Sequence, residues 1–118
     1  MLSHKKMTVA CLDFEGVIIP EIWQGLARLC NIDDLKLTTR DIADYDELMR
    51  YRLKICDKYN LTLRDIHKVV EQMEPLDGAF AFLTWLRQRY EVIILSDTFR
   101  EFVEPLMHKL QYPTLFCH

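Results

Sequence analysis

The sequence predicts a parallel α/β fold with a helical insertion directly after its first strand. Three observations carry that prediction. Short apolar runs at 7–12 (MTVACL) and 91–95 (EVIIL) stop abruptly at Asp13 and Ser96, and another begins at 114–117 (TLFC). Such runs lack the polar alternation of a half-exposed strand and fit strands buried on both faces of a parallel sheet. Helical patterns at 78–89 and 99–110 separate the later runs, which gives strand–helix–strand–helix–strand order and right-handed crossovers. Finally, residues 21–74 hold helix patterns and no strand.

The elements follow in chain order. After the first run, Ile22, Trp23, Leu26 and Leu29 recur at helical spacing within 21–30. Residues 31–44, with Asp33, Asp34, Asp41 and Asp44, read as a solvated loop, their acids as surface rather than a metal site. A second helix is expected over 44–59. Thr62 caps a third, with Leu63, Ile66, Val70 and Met73 on one face and Pro75 beyond its end. Thr98 and Glu101 have the spacing of a capping box for the helix over 99–110, and Pro105 should kink or split that helix. The expected division is a partial α/β core from 1–20 and 75–118, with a helical cap over 21–74.

Composition excludes several classes. At 118 residues the chain is one small domain's worth, able to bury roughly two thirds of its unfolded surface. Half the residues are hydrophobic and 28% are charged, ordinary globular proportions. With 15 basic and 18 acidic residues the net charge is −3, so no nucleic-acid partner is expected. No apolar run approaches the roughly 18 residues of a membrane span, and no membrane partner is expected. Lys5 and Lys6 precede an apolar stretch that ends at Asp13, too short for a signal peptide, so the expected location is cytoplasmic. Cys11, Cys30, Cys56 and Cys117 have apolar neighbours and no C-x-x-C pairing, the pattern of reduced, buried thiols. They and His4, His67, His108 and His118 show no zinc-like spacing.

The chemistry-bearing residues sit where two strands stop. Ligands on parallel sheets bind beyond the carboxyl ends of the strands. Asp13-Phe14-Glu15-Gly16 follows the first strand and Ser96-Asp97-Thr98 the second, so pairing of those strands would bring the tips together. Two carboxylates two residues apart can divide the work of phosphoryl transfer. One attacks phosphorus, and the other protonates the leaving alcohol and then activates water. A magnesium ion would relieve their repulsion and neutralise phosphate charge. Ser96 offers a hydroxyl, and the amides after it open a helix, which favours an anion. On the 44–59 helix, Arg52 falls within the expected apolar arc of Tyr45, Leu48, Met49, Leu53, Ile55, Cys56 and Tyr59. A charge there suits a clamp on a substrate carboxylate, a structural pairing with an acid of the cap, or a side chain that snorkels to the rim. Glu21, at the mouth of the insertion, could receive an ammonium or serve as a favourable acid at a helix start.

The segments ACLDFEGVIIPEIW, TTRDIADYDELMRYRL, WLRQRYEVIILSDTF and YPTLFCH resemble the haloacid-dehalogenase-like phosphatases. More narrowly they resemble phosphoserine phosphatase, nearest the branch that also transfers phosphate to homoserine. The resemblance implies the N-terminal half of a Rossmann-like parallel sheet with a helical cap after strand one. It implies Asp13 as nucleophile and magnesium ligand. Glu15 would be the general acid/base, with its main-chain carbonyl on the metal, and Ser96 would hold the transferring phosphoryl group. Arg52 and Glu21 would hold the carboxylate and ammonium of O-phosphoserine, with Asp97 and Thr98 beside Ser96 in the substrate site. Glu15 stands where most of the family has Asp, and Glu21 lies one residue nearer the nucleophile than is usual. The family's later lysine and acidic magnesium tip have no counterpart before His118. The chain is therefore expected to be a fragment, or a non-catalytic remnant that binds a partner through an uncovered sheet edge. That edge invites pairing with another chain, and so a homodimer.

Overall fold

The computed structural model describes residues 6–118; His4 and Lys5 fall outside them. Three strands, β1 (Val9–Leu12), β2 (Glu91–Leu95) and β3 (Thr114–Phe116), form a parallel sheet in the order β1-β2-β3. Val9 pairs with Glu91 and Leu12 with Ile94, while Ile93 pairs with Thr114 and Leu95 with Phe116. Between β1 and β2 run α1 (Ile22–Leu29), α2 (Tyr45–Lys58), α3 (Leu63–Gln72) and α4 (Ala79–Arg87). Helix α5 (Arg100–Met107) joins β2 to β3. The fold is the expected α/β arrangement of a partial Rossmann-like sheet.

The sheet departs from expectation in its burial. Ala10, Leu12, Val92, Ile94 and Leu115 share one face, on which Ile94 is fully buried. On the other face Val9, Leu95 and Phe116 are 43%, 48% and 57% exposed, and Cys11 is exposed with them. Handedness gives the reason. Strands added in sequence order with right-handed crossovers place every connecting segment on the same side. Covering the second side requires the chain to return past β1, and among the described residues it does not.

The apolar runs of the helices build one cluster that spans the α1–α3 segment and the sheet. Phe14, Ile22, Leu26, Leu35, Val70, Leu83, Ile94, Leu106 and Leu110 all lie within it, each at most 1% exposed. Gly25 permits close packing inside α1, since a Cβ there would run into the Met73 thioether.

Helix termini show where local signals hold. Thr62 caps α3 through a reciprocal box: its hydroxyl accepts the Asp65 amide, and the Asp65 carboxylate accepts the Thr62 amide. Asp44 caps α2 by accepting the Glu47 amide at 2.9 Å. The 31–44 stretch is therefore not simply a solvated loop. It contains a 3-10 turn over Asp33–Lys36 whose Leu35 is completely buried.

The expected box between Thr98 and Glu101 does not form. Phe99 occupies the N-cap position of α5 without a side-chain cap, and Thr98 is buried. Its amide donates to Ser96 Oγ at 3.1 Å, so the strand tip claims the residue before the helix can. Pro105 does not split α5, which continues to Met107 and then tightens into a 3-10 turn over His108–Leu110. Proline lacks the N–H that would serve the Glu101 carbonyl four residues back. The ring Nε2 of His67 on α3 meets that carbonyl instead.

Candidate active site

Parallel pairing of β1 with β2 sets Asp13 beside the Ser96-Asp97-Thr98 tip, as the sequence predicts. Phe14 directs the side chains at the first tip. It is fully buried, which leaves its neighbours Asp13 exposed and Glu15 half-buried. The Phe14 carbonyl accepts the amides of Val17, Ile18 and Ile19 in a tight loop. Gly16 turns that loop at φ 81°, a left-handed conformation that favours glycine.

The second tip is braced by β3. The Ser96 amide donates to the Phe116 carbonyl at 3.0 Å, and the His118 amide donates to the Thr98 carbonyl at 3.0 Å. An open pocket of about 880 Å³ lies between these tips and α2. Asp13, Glu15, Glu21, Arg52, Asp97 and Thr98 all line it. Ser96 does not line it, since its hydroxyl turns back to accept the Thr98 amide.

Glu15 Oε1 accepts the amide of Ile22, the first residue of α1, at 2.9 Å. Burial pushes its carboxyl above the ordinary glutamate range, and the nearby Asp97 and Glu21 charges push the same way. The Ile22 amide and Arg52 oppose that shift without cancelling it. An upward shift moves a carboxyl toward the range in which it can serve as a proton donor. Glu21 is the N-cap residue of α1, not a first-turn acid, and its side chain makes no cap bond.

Arg52 is 8% exposed. Its guanidinium lies 4.9 Å from the Trp23 ring centre, and Nη2 donates to the Leu37 carbonyl at 3.1 Å. Nε is buried without a hydrogen-bond partner. Among the described residues, no carboxylate forms an ion pair with this cation. A buried, stacked and incompletely paired arginine is costly unless a ligand completes it.

Among the described residues, no three His, Cys, Asp or Glu side chains converge into a metal cage. Magnesium does not need one, because it binds through one or two carboxylates and fills its octahedron with water and phosphate oxygen. The exposed Asp13 carboxylate and the oxygen-rich tips fit that requirement.

Sequence reasoning missed Tyr45 and Trp23 as pocket residues. Tyr45 lies seven residues before Arg52 on α2, so helical periodicity alone puts both on one face. Trp23 was legible only as an apolar position of α1. The ring's place against Arg52 depends on how α1 meets α2, which no local pattern encodes.

No family model matches the chain. It is 56% identical over 112 residues to phosphoserine phosphatase ThrH of Pseudomonas aeruginosa, a match covering 95% of this chain and 55% of that protein. It is 54% identical over 110 residues to a phosphoserine phosphatase of Pseudomonas syringae pv. tomato, covering 93% of this chain and 46% of that protein. The chain thus spans about half the length of the curated relatives it matches. Over nearly all of its own length the chain is thus similar to these two phosphoserine phosphatases.

Proposed function

We propose that the chain carries the nucleophile-bearing part of a magnesium-dependent phosphoserine phosphatase. The observation that carries this is one pocket with two chemical ends. Carboxylates stand at the strand tips, and the buried, incompletely paired Arg52 stands on the α2 side. A small molecule with a phosphate at one end and a carboxylate at the other complements both.

In the first step the Asp13 carboxylate attacks phosphorus, and the ester P–O bond breaks as the aspartyl-phosphate forms. The Glu15 carboxyl gives its proton to the departing serine oxygen. In the second step the Glu15 carboxylate takes a proton from water as that water attacks the same phosphorus. Phosphate leaves, and the Asp13 carboxylate and the Glu15 proton are restored. An alcohol such as homoserine in the water's place would receive the phosphoryl group by the same proton transfer. The Ser96 hydroxyl, by rotation away from the Thr98 amide, would donate to a phosphoryl oxygen. Arg52 would grip the substrate carboxylate and Glu21 its ammonium. Asp13 and the Glu15 main-chain carbonyl would hold the magnesium ion, which supplies charge neutralisation at the phosphoryl oxygens.

The test is phosphate release from O-phospho-L-serine with and without magnesium. Release that requires magnesium and is abolished by Asp13→Asn supports the proposal. Unchanged release by that variant, or release without magnesium, contradicts it.

A further inference from the structure

One contact joins the two ends of the pocket and has no part in the chemistry above. The Tyr45 hydroxyl donates to the main-chain carbonyl of Asp97 at 3.0 Å, across 52 residues of sequence. Tyr45 is the first residue of α2, and Asp97 lies at the β2 tip. Both line the pocket. The peptide unit between Asp97 and Thr98 is thereby held at both ends. Tyr45 holds its carbonyl, and Ser96 Oγ holds its N–H at 3.1 Å. Seven residues along the same face of α2 is Arg52, fixed in turn by Trp23 and the Leu37 carbonyl.

We propose that Tyr45 is a positioning residue, a latch that seats α2 on the β2 tip so that Arg52 and the strand-tip carboxylates stand at one spacing. That spacing selects phosphomonoesters carrying their own carboxylate over phosphate alone. The ligand class rests on the function proposed above. Tyr45 acts through α2 and through the Asp97–Thr98 peptide, and it takes part in no bond-making step. Burial, and next the Asp97 charge, push its phenol above the ordinary tyrosine range. The hydroxyl therefore remains a donor through neutral pH.

Tyr45→Phe keeps the ring and removes only the donor. Calorimetric titration with magnesium present should show O-phospho-L-serine binding weakened about five- to tenfold, the size of one neutral hydrogen bond. Inorganic phosphate, which engages the strand tips alone, should change by less than about twofold. Equal weakening of both ligands, or unchanged O-phospho-L-serine binding, overturns the proposal. Amide hydrogen exchange without ligand gives a second reading. The variant should exchange faster at the start of α2 and over residues 96–99, and unchanged protection there overturns the latch. A wild-type chain that binds neither ligand overturns the phosphatase reading and the ligand class. The exchange comparison then decides the latch alone.

Discussion

Glu15 is the residue at which the physical conflicts of the site concentrate. It accepts an amide, which favours its charge, yet burial and two neighbouring acids favour its neutral form and prevail. Its folded pKa therefore lies above its unfolded value of about 4.3. Between those two values the folded state binds more protons, so stability falls as pH rises through the folded pKa. Glu15→Gln retains an oxygen for the Ile22 amide and removes the titration. Thermal melts should show the variant more stable than wild type at neutral pH, with the gain fading as pH drops to 4. No gain at neutral pH, or an equal gain at pH 4, would contradict this. Asp13, Glu15, Asp97 and Arg52, which line one pocket, were all legible as candidates from where strands stop and where a charge enters an apolar arc. The Ser96 hydroxyl's turn toward the Thr98 amide was not, because side-chain rotation at a strand tip leaves no mark in the spacing.

Among the elements, the capping signals show how local chemistry holds or fails. Thr62 and Asp65 open a helix with no competing claim on either residue, and the box forms. Thr98 and Glu101 have the same spacing, but Thr98 belongs first to the β2 tip, where its carbonyl and amide are both engaged. The strands were legible as parallel from their short apolar runs. Their burial was not, since it depends on segments that cover the second face. Among the described residues one sheet face is bare and the β1 edge is unpaired, and both features favour self-association. We therefore expect a sizing column to report a homodimer or larger species, and a clean monomer at micromolar concentration would contradict that expectation.

Across the whole molecule, three long-range ties join the helical segment to the β2 tip, to α5 and to the turn after α5. Tyr45 bonds the Asp97 carbonyl, and His67 meets the Glu101 carbonyl that Pro105 leaves without a helical donor. Lys109 donates to the carbonyls of Glu71 and Met73 and to the Glu74 carboxylate, each at 2.8 Å, closing the C-terminal end of α3. All three link residues more than thirty positions apart, which is why periodicity and capping rules place the helices but not their attachment. The attachment matters because Arg52 and Asp13 line one pocket, and the proposed reaction turns on Asp13 receiving the phosphoryl group. The most direct measurement is to quench the chain in acid during turnover of radiolabelled O-phospho-L-serine and map the label by peptide. An acid-stable, hydroxylamine-labile label is expected on the peptide containing Asp13 and is expected to be absent in Asp13→Asn. No label there, or label on the peptide containing Ser96, would contradict this expectation.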